Sequence, residues 1–206
     1  MPKRRGSTRP HTIPADARDH IYLAELALQA EFALRAYGEI EQRSSEGDIS
    51  LFAFIQLMLG SAANVSKLLF PTDRASVETR ERCRRLRTKL SVDDHSPLAD
   101  RTARNYVDHF DEQLDQYVGR TTGVLIHRRI AQQTATPMMR LEDGSEHPAS
   151  HLQLFEAPSR TLVLFDQRLD LGALADAILE VQRAAVAVQP SVAALGWRLT
   201  CLERAS

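Results

Sequence analysis

Only two cysteines occur in the 206 residues, Cys83 and Cys201, far apart and in unlike surroundings. A disulfide-stapled scaffold is therefore not expected, and a cytoplasmic, reducing setting suits the chain best. An unbroken apolar run of about 18 residues, the length of a membrane span, is missing too. The longest, near Ile49–Leu59, is interrupted by Gln56 and ends at Gly60. No membrane association is expected. The opening Met1-Pro2-Lys3-Arg4-Arg5 is basic, but no apolar stretch follows, so no secretory signal is expected there. Neither sign of charge is in excess: 26 Lys and Arg face 27 Asp and Glu. No global basic field advertises nucleic acid, and any such site must be a local patch.

Chemistry is bounded by absences as well. No glycine-rich phosphate loop is present, which removes P-loop and dinucleotide-type sites. His147 and His151 stand four apart, but Pro148 lies between them and no third ligand follows, which argues against zinc. No metal and no cofactor are expected. Serine and cysteine nucleophiles lack a partner arrangement. The single tryptophan, Trp197, sits among apolar residues and reads as packing.

What is there, 43% hydrophobic and 26% charged residues, is a globular balance at a length that fits one domain. Residues 1–14 hold several cations and prolines and little to bury, so a disordered basic tail is expected, with 15–206 as the domain. Residues 16–44 read as a helix, with Ile21, Leu28, Phe32 and Ile40 at helical spacing and Glu25, Glu31 and Glu39 on other faces. A second helix over 49–69, capped by Asp48 and stopped before Pro71, is apolar almost all round and reads as central. Its one polar stripe is Gln56, Gly60, Asn64 and Lys67. That stripe is either an edge that meets solvent or part of a functional cleft.

A third helix over 75–90 has a thin seam of Cys83, Leu86 and Leu90. Arg80, Arg82, Arg84, Arg85, Arg87 and Lys89 crowd its other faces, with Glu78 and Glu81 to offset them. It reads either as a solvated, internally paired helix or as a patch for a phosphate backbone. Ser96-Pro97 starts a fourth helix, expected to run unbroken to Tyr117 with Ala103, Tyr106, Val107, Phe110, Leu114 and Tyr117 on its apolar face.

Beyond Gly119 the pattern becomes extended. Strands are expected at Val124–Ile130, Met138–Leu141, Leu152–Glu156 and Thr161–Phe165, with turns at Asp143-Gly144 and Ala157–Arg160. Helices over 171–187, capped by Asp170, and over 191–203 close the chain. The fold class expected is mainly α, a helical bundle with a small antiparallel β appendage at about 122–168.

One segment combines chemistry with helical context: Arg104-Asn105-Tyr106-Val107-Asp108-His109, running on into Phe110-Asp111-Glu112. A permanent cation, an amide and an imidazole are the parts needed to hold a phosphate and move a proton beside it. Arg5–His11, Arg120–His127 and Arg140–His147 have similar spacing. Arg104–His109 is set apart by the amide of Asn105 directly after the arginine and by lying inside a helical pattern, whereas the others fall in a tail, a loop or a turn. The segment resembles the Arg-polar-spacer-His signature of the HEPN superfamily, many of whose members are metal-independent ribonucleases. The motif covers six residues; the order of helices over the first 120 is a wider and weaker likeness.

The resemblance implies an up-and-down helical bundle that pairs as a homodimer, with the motifs of two protomers forming one cleft. It implies Arg104, Asn105 and His109 as catalytic residues cutting RNA by attack of the 2′-oxygen on phosphorus. A toxin or defence effector held by a neutralising, antitoxin-like partner is the setting it suggests. Geometry adds a reason for the dimer. At about 100° per residue, Arg104 and His109 point about 140° apart on one straight helix, so a partner's arginine serves a histidine better. Arg80, Arg84, Arg87, Lys67 and Asn64 are the candidate RNA-binding residues. Set against catalysis is a non-catalytic bundle that binds nucleotide, RNA or protein, or merely dimerises. In that version Arg104 pairs with Asp108 four residues on.

Overall fold

The computed structural model describes residues 15–121, 124–132, 138–140 and 142–190. The proposed basic tail and the helix expected over 191–203 lie outside these. Helix α1 (Ala15–Glu46) packs along α2 (Leu51–Leu69). Asn64 donates to Gln29 and Arg43 to Ser50, so the two helices run antiparallel. The buried face of α1 is Leu23, Leu26, Ala30, Ala33, Tyr37 and Ile40. This corrects the expected face: Ile21 is 59% exposed and Phe32 42%. Small alanines mark the contact because they let neighbouring backbones approach, and a stripe drawn through bulky residues alone points the wrong way. Glu31, expected on another face, is buried, accepting from Arg35 of its own helix and Gln182 from the far end of the chain.

Helix α2 is apolar because it is enclosed. By length and composition it would cross a bilayer, yet most of it is buried within the protein. Helix α3 (Val77–Leu90) starts on Ser76, whose Oγ accepts from Thr79 N, and buries the expected seam of Cys83, Leu86 and Leu90. Arg85 and Lys89 reach from it to buried Asp19 on α1. Burial alone would raise the Asp19 pKa, but the two cations outweigh it and hold the carboxyl below the ordinary range.

Past a 3-10 turn at Pro97–Ala99, the expected fourth helix is in fact two, α4 (Thr102–Asp108) and α5 (Phe110–Arg120). The sheet follows: β1 (Val124–Ala131), β2 (Met138–Arg140), β3 (Glu146–Glu156), β4 (Thr161–Leu164) and β5 (Gln167–Asp170). The strands run β1-β3-β4-β5, with β2 paired to the start of β3. The sheet is mixed, which corrects the antiparallel expectation: β1 is parallel to β3, in register Leu125↔Ser150 and Ile130↔Phe155. Alternating residues fix which face is buried but not strand direction. Here the return from β1 carries β2, which pairs antiparallel with β3 at Arg140↔Glu146.

Leu152, Phe155, Leu162, Leu164 and Leu169 join the helical side chains in one core. The β4–β5 turn places Phe165 and Asp166 at φ 48° and 69°. From α5, Tyr117 and Arg120 both reach Asp166 and hold that left-handed backbone. Asp170 then caps α6 (Leu171–Val188) through Ala173 N, and α6 buries Leu174, Ile178, Val181 and Ala185 beside α1.

Candidate functional site

The motif straddles a break in the chain. His109 ends α4 and begins α5, with φ −132° and ψ 35°. Its N–H donates to Asn105 O at 2.9 Å and its carbonyl accepts from Gln113 N at 3.0 Å, so both helices keep their terminal bonds. The cause is legible. Asp108 and His109 are weak helix formers, and Asp111 and Glu112 sit in the first turn of α5, where carboxylates complement the positive pole. The angular count for one straight helix therefore does not describe this motif.

His109 stands 55% exposed, with Nδ1 3.5 Å from Glu112 Oε2. Asn105 is exposed as well, and its carbonyl also accepts from Gln113 Nε2 at 3.1 Å. Arg104 goes elsewhere. Its side chain is only 15% exposed, with Nε 3.8 Å from Asp108 Oδ2 and Nη1 donating to Phe70 O at 3.4 Å. Asp108 also binds Lys67 Nζ at 2.8 Å. Within one protomer, Arg104 and His109 do not converge.

Phe70 O belongs to a larger pattern. The carbonyls at the end of α2 are met by four guanidinium groups. Arg82 donates to Lys67 O, Arg87 to Leu69 O, Arg104 to Phe70 O and Arg101 to Pro71 O. A helix C-terminus leaves carbonyls without partners and carries partial negative charge, so cations collect there. This accounts for two of the α3 arginines, Arg82 and Arg87. Arg87 is 19% exposed, stacked over Phe70 and paired with Asp94. Arg84 is paired with Glu81 and remains exposed; Arg80 donates to Ala75 O and Asp73 O. Of the candidate RNA-binding residues, Arg80, Arg84 and Asn64 are exposed, Lys67 is partly exposed, and Arg87 is largely engaged.

Two residues of the polar stripe of α2 meet the motif, whereas Asn64 turns to Gln29 of α1. Lys67 reaches Asp108, and Gln56 lines a hollow of about 220 Å³ with Tyr106, Val107 and Phe110. The phenol of Tyr106 bonds Gln56 and accepts from Gln153, which in turn accepts from Arg128. Burial pushes the Tyr106 pKa up, more than those bonds lower it, so the phenol stays protonated. Reading the sequence alone misses the roles of Gln153, Arg101 and Arg82, because their partners are set by tertiary contacts. Comparison with family models, curated proteins and solved structures finds no match for this chain.

Proposed function

We propose that this protein is a metal-independent endoribonuclease of HEPN type, acting in the cytoplasm as a homodimer whose cleft combines the motifs of two copies. The observation that carries the reading is the exposed imidazole of His109 at the α4–α5 junction, with exposed Asn105 one turn earlier. Lys67 and Arg104 both reach Asp108, its neighbour in sequence. An exposed imidazole in such a setting can take the proton of a ribose 2′-hydroxyl or give one to the leaving 5′-oxygen. The 2′-oxygen bonds to phosphorus, the P–O5′ bond breaks, and the products are a 2′,3′-cyclic phosphate and a 5′-hydroxyl. To hold a non-bridging oxygen, the Arg104 guanidinium exchanges its contacts to Asp108 and the Phe70 carbonyl for the phosphate. Lys67, at the edge of the same carboxylate, supplies a second cation. A toxin or defence role with a neutralising partner fits a nuclease that must be held in check.

The engagement of Arg104 favours a second reading, a bundle of the same type that binds RNA or protein without cutting. Product analysis separates the two. RNA treated with the purified protein yields cyclic phosphate ends, and the same oligonucleotide with a 2′-deoxy residue at the cut site is not cleaved. Intact RNA after incubation with folded, dimeric protein assigns the second reading.

A further inference from the structure

The hollow between α2 and the α4–α5 junction has no part in the chemistry above. It is lined by Gln56, Tyr106, Val107 and Phe110 and holds about 220 Å³. That is below the range of about 300–1,000 Å³ typical of sites for whole drug-sized ligands, so it suits one flat ring system rather than a nucleotide. Phe110 is half-buried, set edge-to-face against Tyr106 with centroids 5.4 Å apart and braced behind by Phe165 at 5.9 Å. A braced aromatic ring is a stacking platform that loses little freedom on binding. Gln56, exposed and bonded to the Tyr106 phenol, adds an amide whose remaining donor and acceptor positions match the edges of a nucleobase. Phe110 follows His109 directly in the chain. A ring held on Phe110 is therefore bound one residue along the chain from the motif's histidine.

We infer that this hollow is a nucleobase pocket, taking one unpaired base of RNA beside the scissile phosphate, with Phe110 and Val107 contacting its face and Gln56 reading its edge. The inference rests on the nuclease reading for its placement at the cut site, but not for binding itself. Single-stranded RNA is recognised by splaying bases onto aromatic side chains, and the aromatic platform and amide here match that mode. Lys67 and Arg104, which both reach Asp108, are the cations that would contribute affinity without base preference.

The test uses the full-length protein and four hexanucleotides, one for each base, carrying 2′-O-methyl groups so that cleavage cannot occur. Fluorescence anisotropy gives each affinity. One base is expected to bind best, and Gln56→Leu, at an exposed position, narrows the preference by about tenfold. Val107→Trp, which fills the hollow from its exposed rim, weakens all four by at least about fivefold. Lys67→Ala weakens all four alike. Phe110→Ala is avoided because that ring packs in the core. The inference is overturned if the wild type binds no RNA, or if Gln56→Leu and Val107→Trp leave affinity and preference unchanged. It is also overturned if Val107→Trp alters only the oligomeric state, which would assign the hollow to a contact between copies. Base-selective binding without cleavage of unmodified RNA would sink the nuclease reading and keep the pocket. Cleavage with the preference unmoved by Gln56→Leu would do the reverse.

Discussion

Lys67 Nζ lies 2.8 Å from Asp108 Oδ1, and this contact joins the last turn of α2 to the residue before His109. The same carboxylate faces Arg104 at 3.8 Å, so one acid spaces two cations at the edge of the motif. The two cations are not equal. Lys67 is in an exposed pair, whereas Arg104 is largely buried over the Phe70 carbonyl. Lys67→Ala is expected to cost no more than about 1 kcal/mol. Arg104→Ala, which strips a partner from a helix-terminal carbonyl, costs about 1–2 kcal/mol. Urea unfolding of the two variants checks the order, and equal losses would show that Arg104 has no structural share.

Asp19 is a buried acid held by two cations, Arg85 and Lys89. Replacing it with Asn removes the charge that both cations approach, and should cost roughly 1–3 kcal/mol. The sign of its pH dependence follows from the lowered pKa. A carboxyl depressed in the folded state adds stability above its unfolded pKa, and that stability is lost as pH falls through the folded value. Denaturation midpoints between about pH 5 and 2 should therefore fall less steeply in Asp19→Asn than in the wild type. Parallel profiles would contradict the pairing.

His151 is buried on β3, and its Nε2 has no hydrogen-bond partner among the described residues. Burial, with Arg129 nearby, pushes its pKa below the ordinary value. The unfolded chain then binds the proton more readily than the native one, so stability drops as pH falls below the unfolded value of about 6.5. Asp19 and Glu156 are both depressed carboxyls and begin to contribute only at lower pH. Between about pH 7.5 and 5.5 the wild type should lose stability, and His151→Gln should lose less. An unchanged slope in the variant would place the effect elsewhere.

Local signals in the sequence carried far in the helices and stopped at tertiary partners. Asp170 as a cap and the seam of Cys83, Leu86 and Leu90 announce their helices, and the structure agrees. Asp111 and Glu112 also announced a helix start, but the continuous apolar pattern of Tyr106, Phe110 and Leu114 masked the break at His109. Glu31 could not be read as buried, because its partner Gln182 lies 151 residues away. The arginines of α3 were legible as a cluster, but not that Arg82 and Arg87 turn to the carbonyls at the end of α2, since those carbonyls are placed by packing. The extended pattern placed β1, β2 and β4, but β3 begins at Glu146 rather than at the expected Leu152 and β5 was not expected, while the parallel pairing of β1 and β3 depends on a connection that alternation does not describe.

The most direct measurement is cleavage of a single-stranded RNA in excess EDTA by the wild type and by His109→Ala, prepared side by side. The account predicts metal-free cleavage that falls by at least about 100-fold in the variant, as loss of a proton-transfer group requires. Equal rates from the two proteins, or no cleavage by a folded wild type, would contradict it.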